Sequence, residues 1–373
     1  MKYDFIVLGA TGMQGIIATK DLLESGYKVL ACGRDPIKLK QIIKNVNYKY
    51  LDVRNKEQII KIIKESGAKI LLNCVELKYN LGIMKICLEL NINYLDLGGL
   101  QEMTKEQYKL QNKYKNTIAL LGCGSTPGIA NVMAKYAVEQ MNNVDHIDLG
   151  FGWNSNIKEF VIPYSIESII YELTTEPVVL ENGKFIKSKV CYYEGERKLK
   201  EVGKQNIYCI VHSEIYTFTK YFKKKGIKKI HYTAGFPEHS HKVLKFLIDL
   251  GFGSTEKIKI KDTEIKIIDF TREILKKNKQ PKDYIEIENV WVECIGEKKI
   301  LMECITKTKK GYEFAGSNIN TGMTISIMAQ LLYKKLINKI GVIAPEDCVP
   351  CNEFFEELKK REIKVFENGR RIN

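Results

Sequence analysis

Three glycines near the start of the chain, Gly9, Gly12 and Gly15, have the type and spacing of a phosphate-binding turn. They follow an apolar run at residues 5–8 and precede a segment whose apolar residues recur at helical spacing. In a strand–turn–helix unit, the first glycine permits a tight turn, the second lets backbone amides approach a pyrophosphate, and the third lets the helix pack on the strand. The alternative is a tight turn without a ligand. We expect a dinucleotide to bind at Gly9, Thr11, Gly12, Met13 and Gly15.

The end of the second predicted strand bears on the choice of cofactor. An NAD-selective site would place an acidic residue there to bind the ribose 2′-hydroxyl, whereas this chain has the sequence CGRD at residues 32–35. The planar guanidinium of Arg34 suits a 2′-phosphate, so the sequence favours NADP. NAD is the alternative, with Arg34 solvated and Asp35 binding the hydroxyl. We expect Asp52 and Val53, which end the third strand, to lie beside the adenine.

The stretch GCGSTPGIAN at residues 122–131 has the pattern of a helix start. Ser125 or Thr126 is suited to cap the helix, and Pro127 is suited to its first turn. The stretch follows the sixth predicted strand, at the carboxyl edge of the sheet, where open α/β sheets bind ligands. A helix start with no role in binding is the alternative. The further residues that we expect at the cofactor are Cys74, Pro127 and Gly128.

The order of the predicted elements indicates an α/β chain of two domains. Strand-like runs in the first third alternate with helix-like segments that start near residues 13, 55, 80 and 104, which predicts a parallel, Rossmann-type sheet. From about residue 145 the patterns alternate, most clearly in NVWVECIGEKKILMECITKT, a predicted hairpin around Gly296, and helical patterns return at 239–250 and 265–277. We place a dinucleotide-binding domain at residues 1–125 and a second, mixed α+β domain from residue 126.

Composition narrows the class of protein. The 373 residues, 45% of them hydrophobic, permit a sizeable core. The net charge of +14 is typical of nucleic-acid binding, but the lysines are scattered over predicted helix faces, so a solvated surface explains them better. No apolar run approaches the roughly 18 residues of a membrane span. Because the chain starts without the pattern of a secretory signal, we expect its ten cysteines to be reduced and the protein to be cytoplasmic.

Five stretches together resemble the saccharopine dehydrogenase-like reductases, the family of saccharopine reductase, lysine 6-dehydrogenase and carboxynorspermidine dehydrogenase. They are the G-x-T-G-x-x-G start, NYLDLGG at 93–99, GCGSTPGIAN at 122–131, GFPEHSHKVLKFLIDLGF at 235–252 and GVIAPEDCVP at 341–350. The resemblance implies a Rossmann domain at residues 1–125, a mixed α/β substrate and dimerisation domain at 126–315, and a last segment at 316–373 that packs back on the first domain. It also implies hydride transfer between NAD(P) and the C–N bond of an amino acid, through an imine, in an enzyme that is a homodimer.

Such chemistry requires a positioned carbon, a dry pocket and a proton source or sink for the nitrogen. Asp96, at the end of a predicted strand, and Cys123, before the proline turn, are the titratable candidates, and the resemblance matches both to the nicotinamide and substrate cleft. Tyr94 lies on the same face as Asp96 by the two-residue period of a strand, so we expect it to line the same cleft. The alternatives are a carboxylate that accepts backbone amides at Asp96 and a packing thiol at Cys123.

An amino-acid substrate also needs a cation for its carboxylate. Arg197 and Arg272 are the arginines between the first domain and the C-terminal segment. We expect one of them to clamp the carboxylate, unless both are ordinary surface residues. The stretch FGWNSNIKEF at residues 151–160, where the family has specificity residues, matches no pattern, so the sequence leaves the substrate side chain open.

Two further spacings are weaker signals. Cys348-x-x-Cys351 and His239-x-His241 have the spacing of a redox or metal site, but a structural zinc needs four ligands and the chain has no second C-x-x-C, so we predict no metal. The sequence therefore predicts an NADP-preferring oxidoreductase that acts on the C–N bond of a small amino-acid substrate. The alternative is a protein that senses NADP without turnover and needs no acid, base or carboxylate clamp.

Overall fold

The first domain is a parallel sheet with helices between its strands. The computed structural model describes residues 2–162, 164–275, 277, 281 and 283–373, without the side chains of residues 38 and 167. The elements of the first domain are β1 (Phe5–Leu8), α1 (Met13–Glu24), β2 (Val29–Gly33), α2 (Pro36–Ile42), β3 (Asn47–Tyr50), α3 (Lys56–Ser66), β4 (Ile70–Asn73), α4 (Asn80–Glu89), β5 (Asn93–Asp96), α5 (Gln101–Tyr108) and β6 (Ile118–Leu120).

The strands of this sheet run in the order β3-β2-β1-β4-β5-β6, and every pair is parallel. Strands β1, β2 and β4 are buried along their whole length, as expected for short apolar runs between two helical layers. The strand order reverses between β1 and β4, and the crevice above this point is where open α/β sheets bind ligands. The predicted Rossmann-type domain is confirmed.

The rest of the chain begins with a helix and continues as mixed α and β structure. Its elements up to residue 307 are α6 (Ile129–Glu139), β7 (Val144–Ser155), α7 (Ile166–Thr174), β8 (Val178–Glu181), β9 (Lys184–Lys187), β10 (Tyr192–Leu199), β11 (Gly203–Cys209), α8 (Glu214–Tyr221), β12 (Lys229–Gly235), α9 (Glu238–Asp249), β13 (Lys257–Ile260), β14 (Thr263–Lys266), α10 (Ile267–Leu275), β15 (Glu286–Gly296) and β16 (Lys299–Lys307). They are followed by α11 (Ile319–Tyr333), β17 (Gly341–Ile343), α12 (Pro345–Cys348), α13 (Cys351–Lys360), β18 (Lys364–Glu367) and β19 (Arg370–Arg371).

The second sheet has ten strands, in the order β10-β11-β12-β7-β15-β16-β18-β19, with β8 beside β12 and β9 beside β8. Strands β7 and β12 are parallel, and the other pairs are antiparallel. The predicted hairpin is confirmed as β15 and β16. The long strand β15 pairs with β7 along its length, and these two strands form the centre of the sheet.

The C-terminal segment returns to the first domain, as the family resemblance implied. Strand β17 adds to the first sheet beside β6, in parallel register. Helix α11 lies against α1 so closely that a Cβ on Gly322 would come within 2.5 Å of the Ile17 Cβ. Strands β18 and β19 then extend the second sheet from β16. The segment therefore joins both sheets.

Several predicted helix bounds were wrong. Helix α5 begins at Gln101 rather than near residue 104. Residues 265–266 belong to strand β14, so α10 begins at Ile267, and residue 276 of the predicted helix lies outside the described residues. Helix α6 begins at Ile129, with Gly128 as its N-cap. The Asn131 side chain accepts a hydrogen bond from the Gly128 amide at 2.7 Å. Pro127 precedes the helix, after a cis peptide bond.

A buried ion pair joins the C-terminal segment to the first domain. The Arg361 guanidinium donates to both oxygens of Asp21 on α1, each at 2.8 Å, and to Glu357 at 2.7 Å. Ser326 on α11 donates to the same Asp21 carboxylate at 2.6 Å. Arg361 and Asp21 are buried, so removing one partner leaves the other charge in a low-dielectric site.

We expect Arg361→Ala to destabilise the protein by about 3–5 kcal/mol, because Asp21 would remain buried without its cation. The measurement is urea unfolding, with Arg370→Ala on the exposed strand β19 as the control. In a double-mutant cycle, adding Asp21→Asn should cost much less in the Arg361→Ala background than in the wild type. If the two substitutions changed the free energy of unfolding additively, the result would contradict the pairing of Arg361 with Asp21.

Candidate functional site

A cavity of about 780 Å³ lies between the carboxyl edge of the first sheet and the second domain. This volume is in the range of sites for small molecules and cofactors. All three parts of the chain contribute to its wall. Among its lining residues are Met13, Cys74 and Gly98 from the first domain, Trp153, Glu172 and Glu288 from the second, and Ser317 from the C-terminal segment.

The β1–α1 turn at one end of the cavity fits a dinucleotide. A Cβ on Gly9, whose φ is +75°, would meet the Cys74 carbonyl oxygen at 2.6 Å, and a Cβ on Gly15 would meet the Gly9 carbonyl oxygen at 2.1 Å. Gly12 is the N-cap of α1 and donates its amide to the Gly9 carbonyl at 2.9 Å. No side chain caps α1, so its first-turn amides are available to bind an anion, as at other glycine-rich turns. Met13 and Cys74 line the cavity itself.

The predicted ribose and adenine residues lie at the ends of β2 and β3. The Arg34 side chain is exposed, beside a shallow surface at β3 to which Asp52 contributes. The Asp35 carboxylate accepts the Ile37 amide at 3.0 Å and so caps the start of α2. The Asp52 carboxylate accepts Arg54 Nε at 3.0 Å, which lowers the Asp52 pKa to about 2. Val53 is half-buried.

Asp96 does not line the cavity, contrary to its predicted place in the cleft. It is completely buried, and its Oδ1 accepts the amides of Gly98 and Gly122, both at 3.0 Å. Its Oδ2 accepts Gln107 at 2.7 Å and Tyr94 at 3.0 Å. Burial raises the Asp96 pKa, and these donors oppose that effect. The alternative interpretation, a carboxylate that accepts backbone amides, describes what the structure contains.

Tyr94 and Cys123 are also enclosed rather than exposed to the cavity. Tyr94 shares the face of Asp96, as its position predicted, but that face is packed against the interior, and the Tyr94 hydroxyl accepts Asn73 at 3.0 Å. The Cys123 thiol is fully buried and donates to the Leu120 carbonyl at 3.4 Å. Burial raises the pKa of the Cys123 thiol well above its ordinary value, so it stays protonated. Neither side chain is placed to exchange a proton with a ligand.

The two loops that Asp96 joins carry part of the cavity wall. A Cβ on Gly98 would meet the Gly122 Cα at 2.6 Å and the Pro127 Cγ at 2.8 Å, so the loops after β5 and β6 touch at their backbones. Pro127 and Gly128 lie behind this contact and do not line the cavity, whereas their neighbours Ser125 and Thr126 do. The GCGSTPGIAN stretch therefore shapes the wall through its packing.

Two glutamates that the sequence analysis missed, Glu286 and Glu288, face the cavity from strand β15. Their spacing of two places them on one face of the strand. The Glu286 carboxylate accepts hydrogen bonds from the Ser317 amide, at 3.1 Å, and from the hydroxyls of Ser317 and Tyr284. Glu288 accepts the Asn320 side chain. Burial raises the pKa of both, that of Glu288 to about 8, with Glu286 adding to the shift.

A third acid, Glu172 on α7, lines the same cavity. The Tyr164 hydroxyl donates to it at 2.5 Å. Burial raises the Glu172 pKa to about 7, although His212 and the Tyr164 hydroxyl act in the opposite direction. His212 also lines the cavity. The cavity therefore concentrates carboxyl groups whose pKa values are raised by burial, and a bound cation would favour their ionised forms.

Aromatic side chains complete this acidic wall. Trp153 on β7 is directly opposite Glu288 in the β7–β15 pairing, and Phe151 is two residues away on the same face. Both rings line the cavity. The stretch FGWNSNIKEF, which the sequence left without a role, thus supplies the aromatic part of the wall. Aromatic faces beside carboxylates attract organic cations.

The two predicted substrate arginines have different surroundings. Arg272 on α10 lines the cavity and pairs with Asp269 at 3.2 Å. Arg197 lies outside the cavity lining: it donates to Asp148 at 3.1 Å and Glu293 at 3.4 Å and covers the Trp291 ring. Two carboxylates and an aromatic ring already engage the Arg197 guanidinium, so its surroundings give no support to the predicted role at a substrate carboxylate. Lys78 and Lys266 are further cations on the cavity lining.

The remaining sequence patterns lie away from the cavity lining. The Cys348 and Cys351 thiols donate to the carbonyls of Ala344 and Val132, at 3.8 and 3.7 Å. In the part of the chain that the structure describes, no group of three or more His, Cys, Asp or Glu side chains is placed to hold a metal ion. Among the described helices, none combines the length and apolar character required to cross a membrane.

Comparisons with known proteins agree with this architecture. Residues 5–125 match the family model of the saccharopine dehydrogenase NADP binding domain, and residues 124–363 match that of the saccharopine dehydrogenase C-terminal domain. Carboxyaminopropylagmatine dehydrogenase from Synechocystis is 24% identical over 288 residues, which are 72% of this chain and 71% of that protein. Carboxynorspermidine synthase from Vibrio cholerae is 22% identical over 68% of each chain.

Solved structures show the same fold. Saccharopine dehydrogenase (L-Glu forming) from Saccharomyces cerevisiae aligns over 100% of both chains, with a TM-score of 0.71 and 12% identity. Homospermidine synthase from Legionella pneumophila, solved with NAD, aligns over 99% of this chain and 92% of its own, also with a TM-score of 0.71 and 12% identity. Together, the two family models span nearly the whole chain, which therefore belongs to the saccharopine dehydrogenase family of NAD(P)-dependent oxidoreductases.

Proposed function

We propose that the protein is an NADP-dependent oxidoreductase that interconverts an imine and a secondary amine in a substrate with both a carboxylate and a cationic amine chain. The observation that carries the proposal is the cavity wall of Glu172, Glu286, Glu288 and Trp153, which lies beside the dinucleotide turn. Carboxyl groups in an enclosed site are costly unless a cation neutralises them. A diamine or polyamine chain supplies such a cation.

The cavity lining carries the groups of both charges that this substrate requires. Lys78, Lys266 and Arg272 supply cations for a carboxylate, whereas the glutamates on β15 and α7 supply anions for ammonium groups. The relatives named for carboxynorspermidine and carboxyaminopropylagmatine act, by those names, on molecules with both kinds of group. The proposed substrate class is therefore a carboxylated polyamine or its precursor imine.

The residues of the chain bind, orient and shield this substrate. Glu286 is held in place by Ser317 and Tyr284, so it presents a fixed acceptor to an ammonium group. Phe151 and Trp153 exclude water from the reacting nitrogen and carbon. The turn at Gly9–Gly15 holds the pyrophosphate of NADPH, which when bound supplies the hydride for the imine carbon. Asp96 positions the loops of the wall without contacting the substrate.

Sensing of NADP without turnover remains the alternative function. A sensor would have no need of a shielded wall that combines three acids with aromatic rings. The cavity therefore supports an enzyme more than a sensor, and turnover separates the two.

We also propose a homodimer in the cytoplasm, within amino-acid and polyamine metabolism. Strands β9 and β10 expose large apolar side chains: Phe185, Ile186, Tyr192 and Tyr193 are each close to half exposed. Such a patch suits a partner of the same kind. All ten cysteines are unpaired, which supports a reducing compartment. Light scattering on a size-exclusion column measures the mass against 42.9 kDa for one chain.

The function is tested by following NADPH oxidation with aldehydes that carry a carboxylate, each mixed with a mono-, di- or triamine. We expect turnover with a di- or triamine and little with a monoamine of the same length, because only the di- and triamines carry a distal ammonium group that can pair with the carboxyl groups. NADPH binding without oxidation by any pair would favour the sensor. Turnover that is indifferent to amine charge would refute the proposed substrate class.

We expect Glu288→Gln to lower kcat/KM for the diamine by about 30-fold or more, because it removes one partner of an enclosed charge pair. NADPH affinity should not change. The matched control is Glu264→Gln on β14, a glutamate that pairs with Lys257 at the surface. An unchanged kcat/KM for Glu288→Gln would show that this carboxyl does not contact the amine.

We expect Arg34→Ala to lower kcat/KM for NADPH by roughly 10- to 100-fold, since a hydrogen bond to a charged group is worth about 1.5–3 kcal/mol. The NADH value should stay constant, because NADH has no 2′-phosphate. Arg370→Ala serves as the control for loss of a surface arginine. If the ratio of the two cofactors stays constant in Arg34→Ala, Arg34 does not bind the phosphate.

A further inference from the structure

A buried histidine–glutamate pair borders the cavity, and the reaction proposed above gives it no role. His212 lines the cavity, and its Nδ1 is hydrogen-bonded to the Glu214 carboxylate. Glu214 is the first residue of α8 and is fully buried. The loop from β11 to α8 thus places an imidazole at the cavity with an acid directly behind it.

We infer that His212 is the proton donor to the substrate nitrogen. Glu214 orients the His212 ring and favours its protonated form. This inference rests on the proposed imine reduction. The arrangement is that of an acid–base residue fixed by a second group: the carboxylate holds Nδ1, which leaves Nε2 for the ligand. Among the residues that the structure describes, none is hydrogen-bonded to Nε2.

The ring of His212 is held in one orientation. It stacks on the Tyr232 ring, with centroids 4.0 Å apart and planes 5° from parallel. The Ser213 hydroxyl donates to Glu214 at 3.3 Å and helps to fix the carboxylate. A ring held by both stacking and a hydrogen bond keeps its Nε2 direction without a loss of entropy at the moment of reaction.

The surroundings of His212 favour its charged form. Burial alone would lower the His212 pKa, but the Glu214 carboxylate outweighs it, so the pKa is raised above the ordinary value of 6.5. The other groups that face it are Glu172 on α7, which also raises the pKa, and the Tyr232 ring on β12. Behind Glu214 lies Glu346, a buried carboxyl bonded to Asn131 at 2.8 Å.

The proposed step balances in atoms and charge. The imidazolium Nε2–H bond breaks, its electron pair returns to the ring, and a new N–H bond forms on the imine nitrogen. The imine carbon is then reduced by a hydride from the nicotinamide cofactor, which is oxidised. In the reverse direction the neutral imidazole takes the proton back. The acids Glu286 and Glu288 remain free to bind the distant ammonium groups.

The first test compares His212→Gln and Glu214→Gln in steady-state NADPH oxidation across pH. We expect His212→Gln to lower kcat by about 100-fold or more, as for loss of a general acid, with little change in NADPH binding. Since the acid must be protonated, the wild-type kcat should fall as pH rises through the raised His212 pKa. Glu214→Gln should move that fall to lower pH by about one unit or more.

His241→Gln is the matched control, because His241 is half-buried and stacked on Tyr208 outside the cavity lining. It should keep the wild-type kcat and pH profile. A wild-type profile in His212→Gln would overturn the inference. So would a Glu214→Gln variant with reduced kcat at every pH and no displacement of the profile, since that result indicates a structural role alone.

A second measurement does not depend on turnover. The chain has five histidines, so the imidazole resonances of the full-length protein can be assigned by the loss of one set in His212→Gln and titrated by NMR. We expect His212 to titrate above pH 6.5 in the wild type and at lower pH in Glu214→Gln. An ordinary His212 pKa in both proteins would refute the inferred action of Glu214 on His212, even if imine reduction is confirmed. A raised pKa without any imine reduction would leave the pair intact and refute the proposed reaction instead.

Discussion

The cost of placing carboxyl groups in an enclosed cavity is the constraint on which the substrate site depends. Glu172, Glu286 and Glu288 meet there from two elements that are more than a hundred residues apart. Burial raises the pKa of all three groups, that of Glu172 to about 7 and that of Glu288 to about 8. A bound ammonium group would shift the balance towards the ionised carboxylates, as the proposed cationic substrate requires.

Asp96 joins two loops that carry part of the cavity wall. One of its oxygens accepts amides from the loops after β5 and β6, which carry Gly98 and Gly122. The same loops touch at their backbones, and the side chains beside them face the cavity. The C-terminal segment supplies Ser317 to the wall and is anchored by the Arg361–Asp21 pair. Two buried carboxylates thus have positioning roles.

The sequence predicted the cofactor end of the molecule better than its substrate end. The turn at Gly9–Gly15 is largely local, because a Cβ on Gly15 would meet Gly9 within the same strand–turn–helix unit, although a Cβ on Gly9 would meet Cys74 after β4. The hairpin around Gly296 is local as well. Asp96 was placed on the correct strand and face, but a period of two does not tell whether that face borders a cavity or the interior.

The substrate end depends on contacts between distant segments. Arg197 appeared available until the fold brought Asp148 and Glu293 to it, from 49 and 96 residues away. Glu286 and Glu288 had a detectable signal: they are two acids on a strand face whose next residues, Val290, Val292 and Cys294, are apolar. The proposed role of His212 depends on the fold, which places this residue at the cavity directly before α8. Contacts between distant segments, such as those of Arg197, follow from the pairing of β7 with β15, which local sequence patterns do not specify.

The most direct test of the acidic cavity is the proton balance of amine binding. Calorimetric titration of the NADP-bound protein with a diamine at pH 7, in buffers of different ionisation enthalpy, measures the protons exchanged. Binding should release protons, because the ammonium groups favour the ionised forms of Glu172 and Glu288, and the release should diminish in Glu288→Gln. Binding with no proton release, or with the same release in Glu288→Gln, would contradict a cavity built around carboxyl groups for a cationic substrate.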